Sequence, residues 1–247
     1  MSKVIITGAT GNAGSAALTA AIASPGISHI AVIARRRPFD ESPKIKHIQL
    51  PSEKYPKGFE EIPASVVDEL KREGYDSCIW ALGITQTQVS KDEYIKITHD
   101  YTIQAAQAFS TLGTTSRPFK FIFMSGEGAR QDEKGYALFS KIKGRTEKEL
   151  YAMKNGSFDV VNIRPGGIIP TSEHRQRMNW WMAQSFRSIG ALLGTVYPSA
   201  VIESLDLGRT CVGLAEGKGW EKRDAEGVIT NPALRQMAQD WAGDYTI

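Results

Sequence analysis

Only two cysteines occur in the chain, Cys78 and Cys211, and each sits inside an apolar run. That scarcity excludes a disulfide framework and a thiolate metal site, and both read as buried, reduced packing groups. The four histidines show no spacing with cysteine or carboxylate that would hold a metal. No apolar stretch approaches the roughly 20 residues of a membrane span. The opening residues lack the basic-then-apolar layout of a secretory leader. Excess charge is also missing: the net value of +3 is too small to point to nucleic acid. The expectation is a soluble, cytoplasmic protein with no nucleic-acid partner, with peripheral membrane contact left open.

What is present fits one globular domain over residues 1–247, since 41% hydrophobic and 23% charged residues are ordinary values for a chain with a real core. Six apolar, β-branched runs read as strands: "KVIITG", "HIAVIAR", "KIKHIQL", "DSCIWALG", "KFIFMSG" and "FDVVNIRPG". Between them lie helical stretches: the alanine-rich segment stopped by Pro25, "ASVVDELKREG", residues 91–113, and residues 134–156. Strand and helix alternate as far as residue 167. This predicts an α/β fold, a Rossmann-type doubly wound parallel sheet, with strands apolar on both faces. Beyond Pro170 the pattern changes. Residues 171–200 and 215–247 are expected to form a small substrate-side or interface lobe, with "EKRDAE" near 221 as a solvated turn.

The residues that carry chemistry begin at "ITGATGNAGSAAL", between the first strand and the first helix. Gly8 permits a tight turn, Gly11 lets backbone approach a pyrophosphate, and Gly14 allows the helix to pack closely. Thr10, Asn12 and Ala13 complete this cradle. The spacing is GxxGxxG, and its place between strand and helix gives it weight. The second strand ends in Arg35, Arg36 and Arg37, where a site for NAD usually has Asp or Glu. A guanidinium holds a 2′-phosphate by paired hydrogen bonds, so the expected cofactor is NADP(H), with Arg35 and Arg36 as its contacts. Leu82 and Gly83, at the end of the fourth strand, are expected against the adenine-ribose side.

With "TGATGNAG", "ARR", "ALGITQT", "FIFMSGEGA", "KGRTEKEL" and "NIRPGGII" in this order, the chain resembles the atypical short-chain dehydrogenases. More narrowly, it resembles their Tat-interacting-protein-like and NmrA-like branch. The likeness runs from residue 3 to about 170, and more faintly through "ESLDLGRTCVG". It implies a serine after the fifth strand and a tyrosine and lysine four apart on the next helix. The tyrosine would move a proton while hydride moves at the nicotinamide. The lysine would hold the ribose and lower the tyrosine pKa. It also implies that Pro165 and Gly166 lie near the nicotinamide, with Ile168 and Ile169 lining that wall.

The chain departs from this pattern at two places. Lys143 matches the family lysine, but Phe139 stands where the tyrosine belongs. Ser125 is present, yet the usual serine position holds Gly126. Tyr136, seven residues before Lys143, is the candidate replacement, two helical turns away on one face and about 10 Å along the axis. The candidate catalytic set is therefore Lys143, Tyr136 and Ser125.

Other features have simpler readings. His174 reads as solvated, and His99 and Asp100, being adjacent on a helix, should not face each other. Trp181, Phe186, Ile189 and Leu193 form a stripe suited to core or a subunit interface, so a homodimer is one expectation. A hydrophobic substrate pocket, or a shallow membrane contact assisted by Arg175, Arg177 and Arg187, is the other reading of that stripe. Two functions stay open: an NADP(H)-dependent oxidoreductase acting on a small-molecule carbonyl compound, or a catalytically degenerate NADP(H)-binding regulator.

Overall fold

A computed structural model describes residues 1–171 and 200–244. The elements run β1 (Ser2–Thr7), α1 (Asn12–Ala23), β2 (Ile27–Ala34), β3 (Ile45–Gln49), α2 (Ala64–Glu73) and β4 (Ser77–Trp80). A helical stretch follows: α3 (Lys91–Ile95), a π turn (Lys96–Asp100) and α4 (Tyr101–Phe109). Then come β5 (Phe119–Met124), α5 (Leu138–Ala152), β6 (Phe158–Arg164), β7 (Gly167–Ile169), β8 (Val201–Glu203), α6 (Ser204–Ala215), β9 (Val228–Thr230) and α7 (Asn231–Asp240).

Seven strands form one parallel sheet in the order β3-β2-β1-β4-β5-β6-β9. The chain order reverses between β1 and β4, so this is where the carboxyl ends of the strands open a crevice for a ligand. The strands are buried on both faces because alternate residues feed two cores. Val4, Ile6 and Ile79 pack with α1, α6 and α7. Ile5, Trp80, Phe121 and Phe158 pack with α2, α4 and α5. In the second core Trp80 Nε1 donates to Thr102 Oγ1 at 2.8 Å, so the indole is buried with its polar atom satisfied. Helix α1 lies unusually close to α6: a Cβ on Gly208 would meet the Ala16 carbonyl oxygen at 2.4 Å. Cys78 and Cys211 are free and fully buried. No helix among the described residues is long and apolar enough to cross a membrane.

Several expectations need correction. Within the part of the expected lobe that is described, residues 215–244, two elements join the main layers. Val228–Thr230 adds a seventh strand beside β6, and α7 packs on α6. The "EKRDAE" segment is largely exposed, as a solvated turn would be, but one of its residues is anchored. Arg223 is held by Asp159 through two hydrogen bonds, of 2.7 and 3.1 Å, and by the Val160 carbonyl at 2.8 Å. Helix α5 starts at Leu138, four residues later than expected, with Ala137 extended before it. His99 and Asp100 do meet, at 2.8 Å, and His99 Nε2 reaches Glu149 at 3.0 Å. They sit in the π turn, whose smaller angular step per residue brings neighbours closer than an α-helix does. The short parallel pair β7–β8 brackets the segment expected to form the rest of the lobe. His174, Arg175, Arg177, Trp181, Phe186, Arg187, Ile189 and Leu193 lie outside the described residues.

Candidate functional site

The glycine turn closes the carboxyl end of β1. Gly8 has φ of +64°, a conformation that side chains rarely adopt, and a Cβ there would meet the Ala81 carbonyl oxygen at 2.2 Å. A Cβ on Gly14 would meet the Gly8 carbonyl oxygen at 2.2 Å. These two glycines therefore let the backbone pack on itself. Gly11 is different: it is exposed, with only the Gly8 oxygen 3.3 Å from a built Cβ. It caps α1, which has no side-chain cap and no acidic residue in its first turn. The first amides of α1 are thus left for an anion, as the helix field favours. Thr7 Oγ1 accepts from the Ala81 and Leu82 amides, both at 3.1 Å, and locks the ends of β1 and β4 together. By its open side and free donors, this cradle fits the pyrophosphate of a dinucleotide. Asn12 Nδ2 crosses from the turn to the Ile168 carbonyl at 3.1 Å, while its buried Oδ1 has no partner.

Beside the cradle lies a cleft of about 630 Å³. Its walls include Arg35, Leu82, Gly83, Pro51, Phe59 and Tyr101. Arg35, Arg36 and Arg37 are all exposed at the end of β2, but only Arg35 borders the cleft. Leu82 and Gly83, expected against an adenosine, line this cleft. The far wall was not legible beforehand. It comes from residues 56–60 and from the π turn, where Lys96 pairs with Glu60 at 2.6 Å.

At the end of β5, Lys143 Nζ donates to the Ser125 carbonyl at 2.6 Å and the Met124 carbonyl at 3.2 Å. Burial of its ammonium draws the pKa down to about 8, although the nearby Glu147 charge pulls the other way. Ser125 is 3% exposed and its Oγ has no partner among the described residues. So Lys143 reaches the backbone carbonyl of Ser125 and makes no hydrogen bond to its hydroxyl. Tyr136 does not join them in the expected manner. It precedes α5, so no shared helical face relates it to Lys143, and it is fully exposed. Phe139 turns its ring toward the loop after β5, with Cζ 3.4 Å from where a Gly128 Cβ would lie. Its amide donates to Gln86 Oε1 at 2.9 Å, which ties α5 to the loop after β4.

No protein-family profile matches the sequence. Several curated relatives do. Protein HTATIP2 of Rattus norvegicus is 24% identical over 184 residues, covering 74% of this chain and 69% of that protein. Protein fmp52, mitochondrial, of Emericella nidulans is 28% identical over 172 residues, covering 68% and 67%. Among solved structures, a short-chain dehydrogenase from Burkholderia cenocepacia in complex with NADP superposes with a TM-score of 0.63. It is 15% identical and spans 98% of this chain and 93% of that one. A 3-oxoacyl-[acyl-carrier protein] reductase from Brucella melitensis in complex with NAD gives 0.63 at 17% identity, spanning 96% and 97%. Strand order, motif order and these relatives agree. The chain is similar in sequence to the HTATIP2 and fmp52 proteins and shares the fold of the short-chain dehydrogenases.

The turn after β6 is more structural than its sequence suggested. Arg164 makes a bidentate pair with the fully buried Glu147, at 2.5 and 2.9 Å. A Cβ on Gly166 would meet the Ala200 carbonyl oxygen at 2.2 Å, and its amide donates to Asn231. The Pro165 carbonyl accepts from the Glu127 amide at 2.9 Å. Close backbone packing, a demand that any tight turn makes, accounts for Gly166. Glu147, Gln86 and Asn231 hold the site in shape and were missed. Only Glu147 had a signal, a carboxylate one helical turn beyond Lys143.

Proposed function

We propose that the chain is an NADP(H)-dependent oxidoreductase acting on a small or moderately hydrophobic carbonyl compound. The observation that carries the reading is the pair at the end of β5. A desolvated ammonium at Lys143 and an unpartnered hydroxyl at Ser125 stand at the carboxyl edge of the sheet, where this fold places its ligands. Keeping such groups dry costs stability, and perturbed groups of this kind gather at reactive sites. The dinucleotide, when bound, supplies or accepts hydride. Gly8, Thr10, Gly11, Asn12 and Ala13 would hold its pyrophosphate. Leu82 and Gly83 would face its adenosine half, and Arg35, with Arg36 at the rim, its 2′-phosphate. Lys143, Pro165 and Gly166 would border the nicotinamide half. The Burkholderia structure with NADP supports this choice, while the Brucella structure with NAD shows that the fold accepts either.

NADPH oxidation in the presence of a panel of aldehydes and ketones tests the reading. Turnover that collapses in Lys143→Ala supports it. Bound NADPH with no turnover on any carbonyl contradicts it. Phe139 favours a second reading, a nucleotide-binding regulator without turnover, because phenylalanine has no proton to give. Adding Phe139→Tyr and Gly126→Ser together separates the two. A native protein that already matches the double variant excludes the regulator. A cytoplasmic home and a homodimer complete the proposal. Relatives named as mitochondrial make imaging of a tagged chain the test of the first, and sedimentation tests the second.

A further inference from the structure

We propose that Lys143 itself hands the proton to the substrate oxygen, in place of the phenol that Phe139 does not provide. The inference rests on the oxidoreductase reading above. A proton donor here needs a hydrogen to give, a place at the end of β5 and freedom from other partners. Phe139 fails the first condition. Tyr136 fails the second, being fully exposed and outside α5. His99 fails the third, since both ring nitrogens face carboxylates, Asp100 and Glu149. Arg164 is committed to Glu147 and does not give up its proton in proteins. Ser125 is suitably placed, but an unassisted serine hydroxyl is too weak an acid at neutral pH.

Lys143 meets all three conditions. An ammonium carries three hydrogens, and two go to the Ser125 and Met124 carbonyls. The third has no acceptor among the described residues. The two carbonyls fix the nitrogen, so the third hydrogen is aimed and not merely tethered. The neighbouring residue leaves that side open: a Cβ on Gly126 would lie 3.9 Å from Nζ and touch nothing else within 4 Å. A serine at 126 would narrow this approach, so the Gly126 and Phe139 departures work together. The first clears space over the nitrogen, and the second removes the group that would otherwise deliver the proton.

The step balances simply. Hydride from the reduced dinucleotide adds to the carbonyl carbon, and the C=O π pair moves onto oxygen. That oxygen takes a proton from Nζ. Lys143 is left as a neutral amine and regains its proton from water. The Ser125 hydroxyl, without a partner among the described residues, can donate a hydrogen bond to the same oxygen. The charged groups facing Nζ are few. Glu147 lies one turn along α5 and is held by Arg164 of β6, β5 presents only carbonyls there, and Glu127 in the following loop is exposed. A pKa of about 8 suits an acid working near neutral pH, for it holds its proton below that value and releases it readily.

The test uses the full chain, NADPH and 4-nitrobenzaldehyde as the carbonyl probe. Reduction should fall above pH 8 along a limb of one proton. Lys143→Arg keeps the charge and donors but cannot release a proton. It should lose about 10²-fold or more in kcat, the usual weight of general acid catalysis, while NADPH affinity by fluorescence stays within about threefold. Adding Phe139→Tyr to Lys143→Arg should return part of the lost rate. A second readout needs no turnover: acetylation of each lysine by acetic anhydride, followed across pH by peptide mass spectrometry. The Lys143 amine should titrate near 8. Lys143→Arg retaining full kcat, a flat profile through pH 8, or a Lys143 amine titrating with the exposed lysines each overturns the inference while leaving the oxidoreductase reading intact. A native protein that binds NADPH and never oxidises it on any carbonyl overturns both.

Discussion

Replacing Lys143 by methionine should make the protein more stable at neutral pH. The side chain carries its ammonium into a place where burial draws the pKa from 10.5 to about 8. At about 1.4 kcal/mol per pH unit, that difference is roughly 3 kcal/mol against the folded state. The two hydrogen bonds to Ser125 and Met124 would be lost with the ammonium, at about 1 kcal/mol each. Methionine would keep most of the apolar stem. The net gain expected at pH 7 is about 1 kcal/mol, read by urea unfolding. The sign of its pH dependence follows from linkage. A lysine with a depressed folded pKa binds fewer protons folded than unfolded between 8 and 10.5. Its penalty is fully present below pH 8 and fades as pH rises through that window. The advantage of Lys143→Met should therefore vanish or reverse by pH 10. A variant less stable than the native protein at pH 7 by 1 kcal/mol or more, or a difference that ignores pH, would refute the claim that Lys143 is kept at a cost.

Other consequences follow from the same geometry. Glu147→Gln breaks the buried pair with Arg164 and should cost about 3 kcal/mol, lowering Tm by roughly 6–12 °C for a chain of this size. It should also push the Lys143 titration below 8, because Glu147 is the charge that opposes the shift. Gly14→Ala places a Cβ on the Gly8 carbonyl and should cost about 2–3 kcal/mol, with weakened NADPH binding in titration calorimetry. Arg35→Asp removes a guanidinium from the cleft and adds a repelling charge. It should weaken NADPH by about 10–100-fold, the equivalent of losing one to two charge-assisted hydrogen bonds, and leave NADH nearly unchanged.

The strands of the sheet's centre were legible because they are long, apolar on both faces and bounded by glycine. β9 was not: three residues of "VIT" after an acidic turn carry no periodicity, and only pairing with β6 makes them a strand. The glycine turn was legible for a local reason, since Gly8 needs its positive φ and Gly14 its lack of a Cβ. Gly166 is ambiguous for the same reason, as close packing on Ala200 asks for glycine just as a ligand would. Tyr136 was placed on a helix by counting residues back from Lys143. No sequence signal showed that α5 begins two residues later, where Ala137 is extended and Gln86 receives the Phe139 amide. The cleft's far wall joins Lys57, Glu60 and Lys96 from segments distant in sequence, so only the fold could bring them to Arg35.

Titration calorimetry of the purified chain with NADPH and then NADH measures the foundation of this account. The open cradle at Gly11 and the guanidinium of Arg35 predict one site per chain that binds NADPH at least about tenfold more tightly, the worth of a single charge-assisted contact. No heat with NADPH, or tighter binding of NADH, would contradict it.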